Sequence, residues 1–168
     1  MKLTRVVPAV AAMALLAACS PTAGTAVVID GTAISEAHLS SAIEACKPIL
    51  GPELSRGAVV HVLIMGAVFD KMIESLGQPV TDEQLDELAN EMYPATGTAM
   101  LASEGCREVG LAAIKNELLP QVDAAAAMTA LRSLDVQMNP RYGKFTPSEE
   151  GLFVESGSLS VPSTDAVK

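Results

Sequence analysis

Apolar and polar positions repeat along this chain with two different periods, and the change from one to the other marks its elements. Residues 26–29, Ala-Val-Val-Ile, are a largely β-branched run. Asp30-Gly31 is a favoured tight-turn pair, and Thr32, Ala33 and Ile34 return as a second short strand, so the pattern predicts a small β-hairpin. The period then lengthens to three and four. Ser35 stands where a helix N-cap belongs, Glu36 lies in the first turn, and Leu39, Ala42, Ile43, Cys46 and Leu50 form one apolar stripe that ends near Gly51-Pro52. A longer helix is predicted over residues 54–76, stopped by Gly77 and Pro79. Between Gly57 and Phe69 it is apolar nearly all round, the mark of a central, buried helix. That stretch of 13 residues, bounded by Arg56 and Asp70-Lys71, falls short of a bilayer and is read as core.

Thr81 begins a third helix, with Gln84 three residues on as in a capping box and Asp82 and Glu83 suited to the positive end of the helix dipole. Leu85, Leu88, Ala89 and Met92 supply its buried stripe, Glu87, Asn90 and Glu91 face out, and Tyr93-Pro94 ends it. A looser stretch containing Gly97 and Gly105 leads to a last long helical segment, where Leu111, Ile114, Leu118, Val122, Ala125, Met128 and Leu131 keep the helical period. Pro120 interrupts it at a cost of about 3 kcal/mol, and because the stripe continues on both sides the expectation is a kink and not a break. Residues 136–145 alternate like a strand, with Pro140 confining them to an edge or a strand end, and their partner is expected to be the hairpin. Residues 146–168 mix Ser, Pro, Gly and acids and are expected to be a disordered tail.

Composition agrees with a mainly α fold. Aromatic residues are scarce, at two Tyr, three Phe and no Trp, while Ala, Leu, Val and Met are plentiful, which favours aliphatic helix packing over a sandwich or barrel. No internal repeat is visible, and the length suits one ordinary domain with its tails.

The start of the chain has another character. Lys2 and Arg5 make a short positive region, residues 6–16 are an almost unbroken apolar run, and Leu16-Ala17-Ala18 precede Cys19. This is the layout of an export signal, and the 11 apolar residues are far fewer than the roughly 20 of a membrane span. Leu-Ala-Ala-Cys resembles the lipobox of bacterial lipoproteins: small residues admit the signal peptidase, and a cysteine at the first mature position offers its thiol to diacylglycerol. The resemblance implies a signal peptide over residues 1–18, lipidation at Cys19 with palmitate-type acyl chains, and attachment to the extracytoplasmic face of the cell membrane. Residues 19–25 then read as a flexible tether. Cleavage would remove two basic residues and no acid, leaving nine basic against 20 acidic residues, a net charge of −11 that excludes nucleic acid and anionic headgroups as partners. Outside the cytoplasm the two remaining cysteines, Cys46 and Cys106, are read as a disulfide, the alternative being two buried thiols acting as small hydrophobes.

Candidate chemistry is thin. His38 and His61 have no second ligand at a metal-site spacing; His61 reads as a core or helix-rim histidine and His38 as a solvated one. There is no phosphate-binding glycine loop, no Gly-x-Ser-x-Gly elbow and no Cys-x-x-Cys pair. Asp82, Glu83, Asp86, Glu87 and Glu91 cluster on one helix as a solvated charged face, and a catalytic, metal or cofactor role is not expected of them. The six methionines beyond the signal, Met65, Met72, Met92, Met100, Met128 and Met138, read mainly as core.

Three stretches together resemble a known family: Val28-Ile29-Asp30-Gly31-Thr32-Ala33-Ile34-Ser35; Leu76 through Leu85 with its Thr81-Asp82-Glu83 cap; and the return segment Val136 to Phe145, with Asn139-Pro140-Arg141-Tyr142-Gly143 within it. The order of elements and these motifs, over residues 26–145, resemble the N-terminal domain of SurA-like periplasmic chaperones and the related PrsA-type foldase lipoproteins. The resemblance implies a helical domain that cradles extended or unfolded exported polypeptide without ATP. It carries no catalytic residues: proline isomerisation in that group belongs to a separate parvulin domain, for which no stretch of this chain is patterned. A non-enzymatic, membrane-anchored chaperone-like binder is therefore the expectation, and an accessory scaffold that docks one folded cell-envelope partner is its rival.

Overall fold

The computed structural model describes residues 23–147 and 153–154. The signal segment and Cys19 lie outside the described residues. The fold is mainly helical, with a small antiparallel sheet at its start.

β1 (Thr25–Ile29) and β2 (Thr32–Ser35) form the expected hairpin. Its turn residues Asp30 and Gly31 both take positive φ, 44° and 82°, the combination whose twist matches that of the flanking strands. β3 (Val136–Met138) pairs antiparallel with the other edge of β1, Val27 opposite Met138 and Ile29 opposite Val136, giving the strand order β2-β1-β3. The closing strand thus finds its expected partner but is shorter than residues 136–145. Pro140, lacking an N–H, opens a 3-10 turn over Pro140–Tyr142 whose first N–H, that of Arg141, donates to the Asn139 side chain at 3.2 Å. The chain re-extends as β4 (Lys144–Phe145), which pairs with β5 (Phe153–Val154). The stretch expected to be a structureless tail therefore supplies one strand, and its other residues beyond position 147 lie outside the described residues.

α1 (Glu36–Leu50) starts where Ser35 accepts the His38 N–H at 3.0 Å, and it ends at Gly51, whose φ of 106° suits glycine. α2 (Arg56–Ser75), capped by Ser55, is the central helix: Val59, Val60, Ile64, Val68 and Met72 are all buried. α3 (Asp82–Met92) carries the full capping box, Thr81 and Gln84 each accepting the other's backbone N–H at 3.3 and 2.9 Å. Two expectations fail beyond it. The stretch read as loose folds into α4 (Thr96–Ala102), and Gly105 already lies in α5 (Glu104–Leu118). Both glycines are contacts and not looseness: a Cβ on Gly97 would stand 2.3 Å from the Ala89 carbonyl oxygen, and one on Gly105 would stand 2.8 Å from the Ala45 Cβ.

The second correction concerns Pro120, which produces a break and not a kink. α5 stops at Leu118, a 3-10 turn covers Leu119–Gln121, Val122 is extended at φ −105° and ψ 177°, and α6 (Ala124–Ser133) begins afresh. The new start is made possible by Asp123, which accepts the Ala126 N–H at 2.7 Å and so satisfies a donor left open by the break. Leu118, Val122, Met128 and Leu131 still pack inward across the break because α5 and α6 both pack on α2, but Ala125, expected in the same stripe, is exposed.

The core is almost wholly aliphatic. No polar or charged residue among the described residues is fully buried, and a satellite of Leu85, Ala89 and Ile114 joins α3 to α5. Among the described residues no helix is long and apolar enough to cross a membrane.

Candidate functional site

A cleft of about 450 Å³ lies between the hairpin and the pair α2 and α5. The strand period creates one wall. Thr32 and Ile34 lie two apart on β2 and share a face with Ile29, which stands opposite Thr32 on β1. The helices supply the floor from Leu63, Gly66 and Ala67 of α2 and from Leu111 and Ala112 of α5. Small residues are required there, since a Cβ on Gly66 would come within 3.0 Å of the Ala112 Cβ.

Around this apolar floor runs a charged rim. Lys71 Nζ lies 2.6 Å from Asp30 Oδ2, and Lys115 Nζ lies 2.8 Å from Asp70 Oδ1. His38 Nε2 lies 2.6 Å from Glu108 Oε2, linking α1 to α5, and Glu74 stands one turn beyond Asp70. Asp30 is the most constrained of these groups. Its Oδ1 accepts the Asp135 N–H at 2.8 Å while its own N–H donates to the Asp135 carbonyl at 2.8 Å, so that it ties the turn to the approach of β3. The Lys71 ammonium and then the Asp135 N–H hold its carboxyl below the ordinary carboxylate value.

Cys46 of α1 and Cys106 of α5 are joined, with Cα atoms 4.9 Å apart and both residues fully buried. The disulfide is sealed between α1 and α5, lines no part of the cleft and carries no exposed sulfur chemistry. His61 is half-buried on α2, and loss of hydration lowers its pKa, which favours the neutral ring. His38 is exposed on α1, as expected, and its ring reaches Glu108 of the rim. Of the acids on α3, Asp82, Glu83, Glu87 and Glu91 are exposed as expected, whereas Asp86 is half-buried and held by Arg107 at 2.9 Å. Among the described residues no group of three metal-type ligands comes together.

The methionines divide. Met65, Met72 and Met100 are buried, as expected, but Met65 also lines a second cleft of about 270 Å³ with Met128, Leu131 and the residues of the Pro120 break. It lies between α2 and the new start of α6 and exists because the helix breaks there.

Sequence reasoning missed the rim and one further knot. Glu36, read only as a first-turn acid, accepts the Tyr142 hydroxyl at 2.7 Å and faces Arg56 and Arg141 at 3.4 and 3.6 Å. Burial and then the Glu36 carboxylate raise the Tyr142 pKa. These pairs span up to 106 residues of sequence, and no local spacing announces them. Asp70-Lys71 was visible only as the polar end of an apolar run.

No protein-family model matches the chain, no curated protein matches it, and no solved structure matches it.

Proposed function

We propose that this chain is a lipid-anchored extracytoplasmic binding protein, held at Cys19, that shields extended or unfolded segments of exported polypeptides without ATP. The proposal rests on the lipobox-like segment and on the resemblance to SurA-type and PrsA-type domains. The structural observation that supports it best is the cleft between β2 and the helices. It has an apolar floor for side chains, a charged rim, and a volume within the roughly 300–1,000 Å³ of binding pockets. No isomerase activity is proposed.

A direct test uses the full chain in lipid nanodiscs. Stoichiometric amounts are expected to slow the aggregation of a chemically unfolded client, and Cys19→Ala is expected to move the protein out of the membrane fraction. A chain that binds no unfolded polypeptide removes the chaperone reading.

One observation favours the rival, an accessory scaffold docking one folded envelope partner. Large exposed hydrophobics are few among the described residues, namely Leu50, Leu76 and Tyr93 at 39, 41 and 39%. In-cell crosslinking separates the two readings: one dominant adduct means docking, and a distribution over many clients means chaperoning.

A further inference from the structure

We propose that the outer edge of β2 receives an extended polypeptide as an added strand, one that carries an apolar side chain facing the cleft and a basic residue beside it. This rests on the polypeptide-binding reading above and names the mode and chemistry of that binding. The sheet order β2-β1-β3 leaves β2 with a neighbour on one side only, and no described strand pairs with its other edge. Thr32, Ala33 and Ser35 are exposed and Ile34 is half-covered. Ile29 and Thr32 flank the two-residue turn and form the hydrogen-bonded pair, so at the next position Ala33 directs its N–H and C=O away from β1, toward solvent. An open edge of this kind templates another strand.

The neighbouring cleft decides what that strand carries. Thr32 and Ile34 line it from β2, so alternate residues of an added strand fall on the same face, above the floor formed by Leu63, Gly66 and Ala112. The rim decides the charge. It holds Asp30, Asp70, Glu74 and Glu108 against Lys71 and Lys115, and each lysine is already engaged by an aspartate. The two carboxylates that no lysine engages are Glu74 and Glu108, the latter meeting only the His38 imidazole at 2.6 Å, in a chain whose net charge is −9. An arginine or lysine next to an apolar residue complements that excess, and an acidic peptide is repelled.

The test uses the full chain in nanodiscs and short synthetic peptides that alternate Leu or Val with Ser and carry one Arg. Binding is followed by fluorescence anisotropy. Replacing the Arg by Glu is expected to weaken binding about tenfold, and raised salt is expected to weaken the Arg peptide. N-methylation of alternate peptide amides, which leaves the protein untouched, is expected to weaken it about tenfold through lost strand hydrogen bonds. Ala33→Pro, which removes the outward N–H on an edge strand, and the pair Glu74→Gln with Glu108→Gln are expected to act likewise. Equal binding of the N-methylated peptide overturns strand addition, and equal binding of Arg and Glu peptides overturns the charge preference. A chain that suppresses client aggregation but shows either result keeps its proposed function and loses this mode. A chain that binds no unfolded client loses both.

Discussion

Asp30 shows how much one residue can be asked to do. It adopts φ of 44° in the turn, grips the backbone at Asp135 and pairs with Lys71. Asp30→Asn keeps the tolerance for positive φ and removes the charge. Both partners are substantially exposed, at 41% and 31%, so the expected loss in urea unfolding is only about 0.5 kcal/mol. Its pH dependence has a definite sign. The folded carboxyl lies below the ordinary value of 3.8, so its contribution is complete above that value and fades as pH falls through the lower folded one. Wild type and Asp30→Asn should therefore converge in midpoint as unfolding is followed from pH 5 down to pH 2. Gly97 sits at the opposite extreme of tolerance. Gly97→Ala forces a Cβ against the Ala89 carbonyl at 2.3 Å, and backbone cannot step aside as a side-chain tip can. A loss of about 2 kcal/mol or more is expected, whereas Gly57→Ala on α2 meets open space and is expected to be neutral or stabilising by up to about 1 kcal/mol.

The elements were legible in the sequence wherever their signals are local. The hairpin turn, the caps Ser35 and Thr81, the Gln84 arm of the capping box and the stripe of α1 from Leu39 to Cys46 all act within three or four residues, and each stands where the pattern placed it, whereas Leu50 at the end of that stripe is exposed. The failures share a cause. Whether a proline kinks or breaks a helix depends on whether a new start is available downstream, and Asp123 lay unread because the stripe ran through it. Glycines in α4 and α5 looked like looseness because what they touch is remote: Gly105 meets Ala45. The rim of the cleft was illegible for the same reason, since Asp70 and Lys71 each reach a residue on a different element. Restarting α6 carries its own expectation. Asp123→Ala removes the side-chain acceptor for the Ala126 N–H and should cost about 1 kcal/mol, with α6 amides exchanging hydrogen faster than those of α2.

At the scale of the whole molecule, the disulfide connects the halves of the chain across 60 residues, joining α1 to α5. By loop-closure entropy such a link is worth about 4 kcal/mol, mainly through the unfolded ensemble. A Cys46→Ala, Cys106→Ala double variant is expected to unfold at a midpoint lower by roughly 10 °C in calorimetry. An unchanged midpoint would show that the helices hold together without it.

The pairing of β1 with β3 has a mechanical consequence. Because the strands are antiparallel, the chain enters the sheet at Thr25 and leaves it at Asn139 at the same end of the ladder. A load applied between those two points does not shear the ladder all at once; it opens it like a zip, one bond after another. The first to bear the force are the bonds of Asn139, from its N–H to the Ala26 carbonyl at 2.9 Å and from its side-chain amide to the Thr25 carbonyl at 3.1 Å. A pull applied between Thr25 and Asn139 would thus yield at low force, while the helices fastened by Cys46 and Cys106 would stay closed.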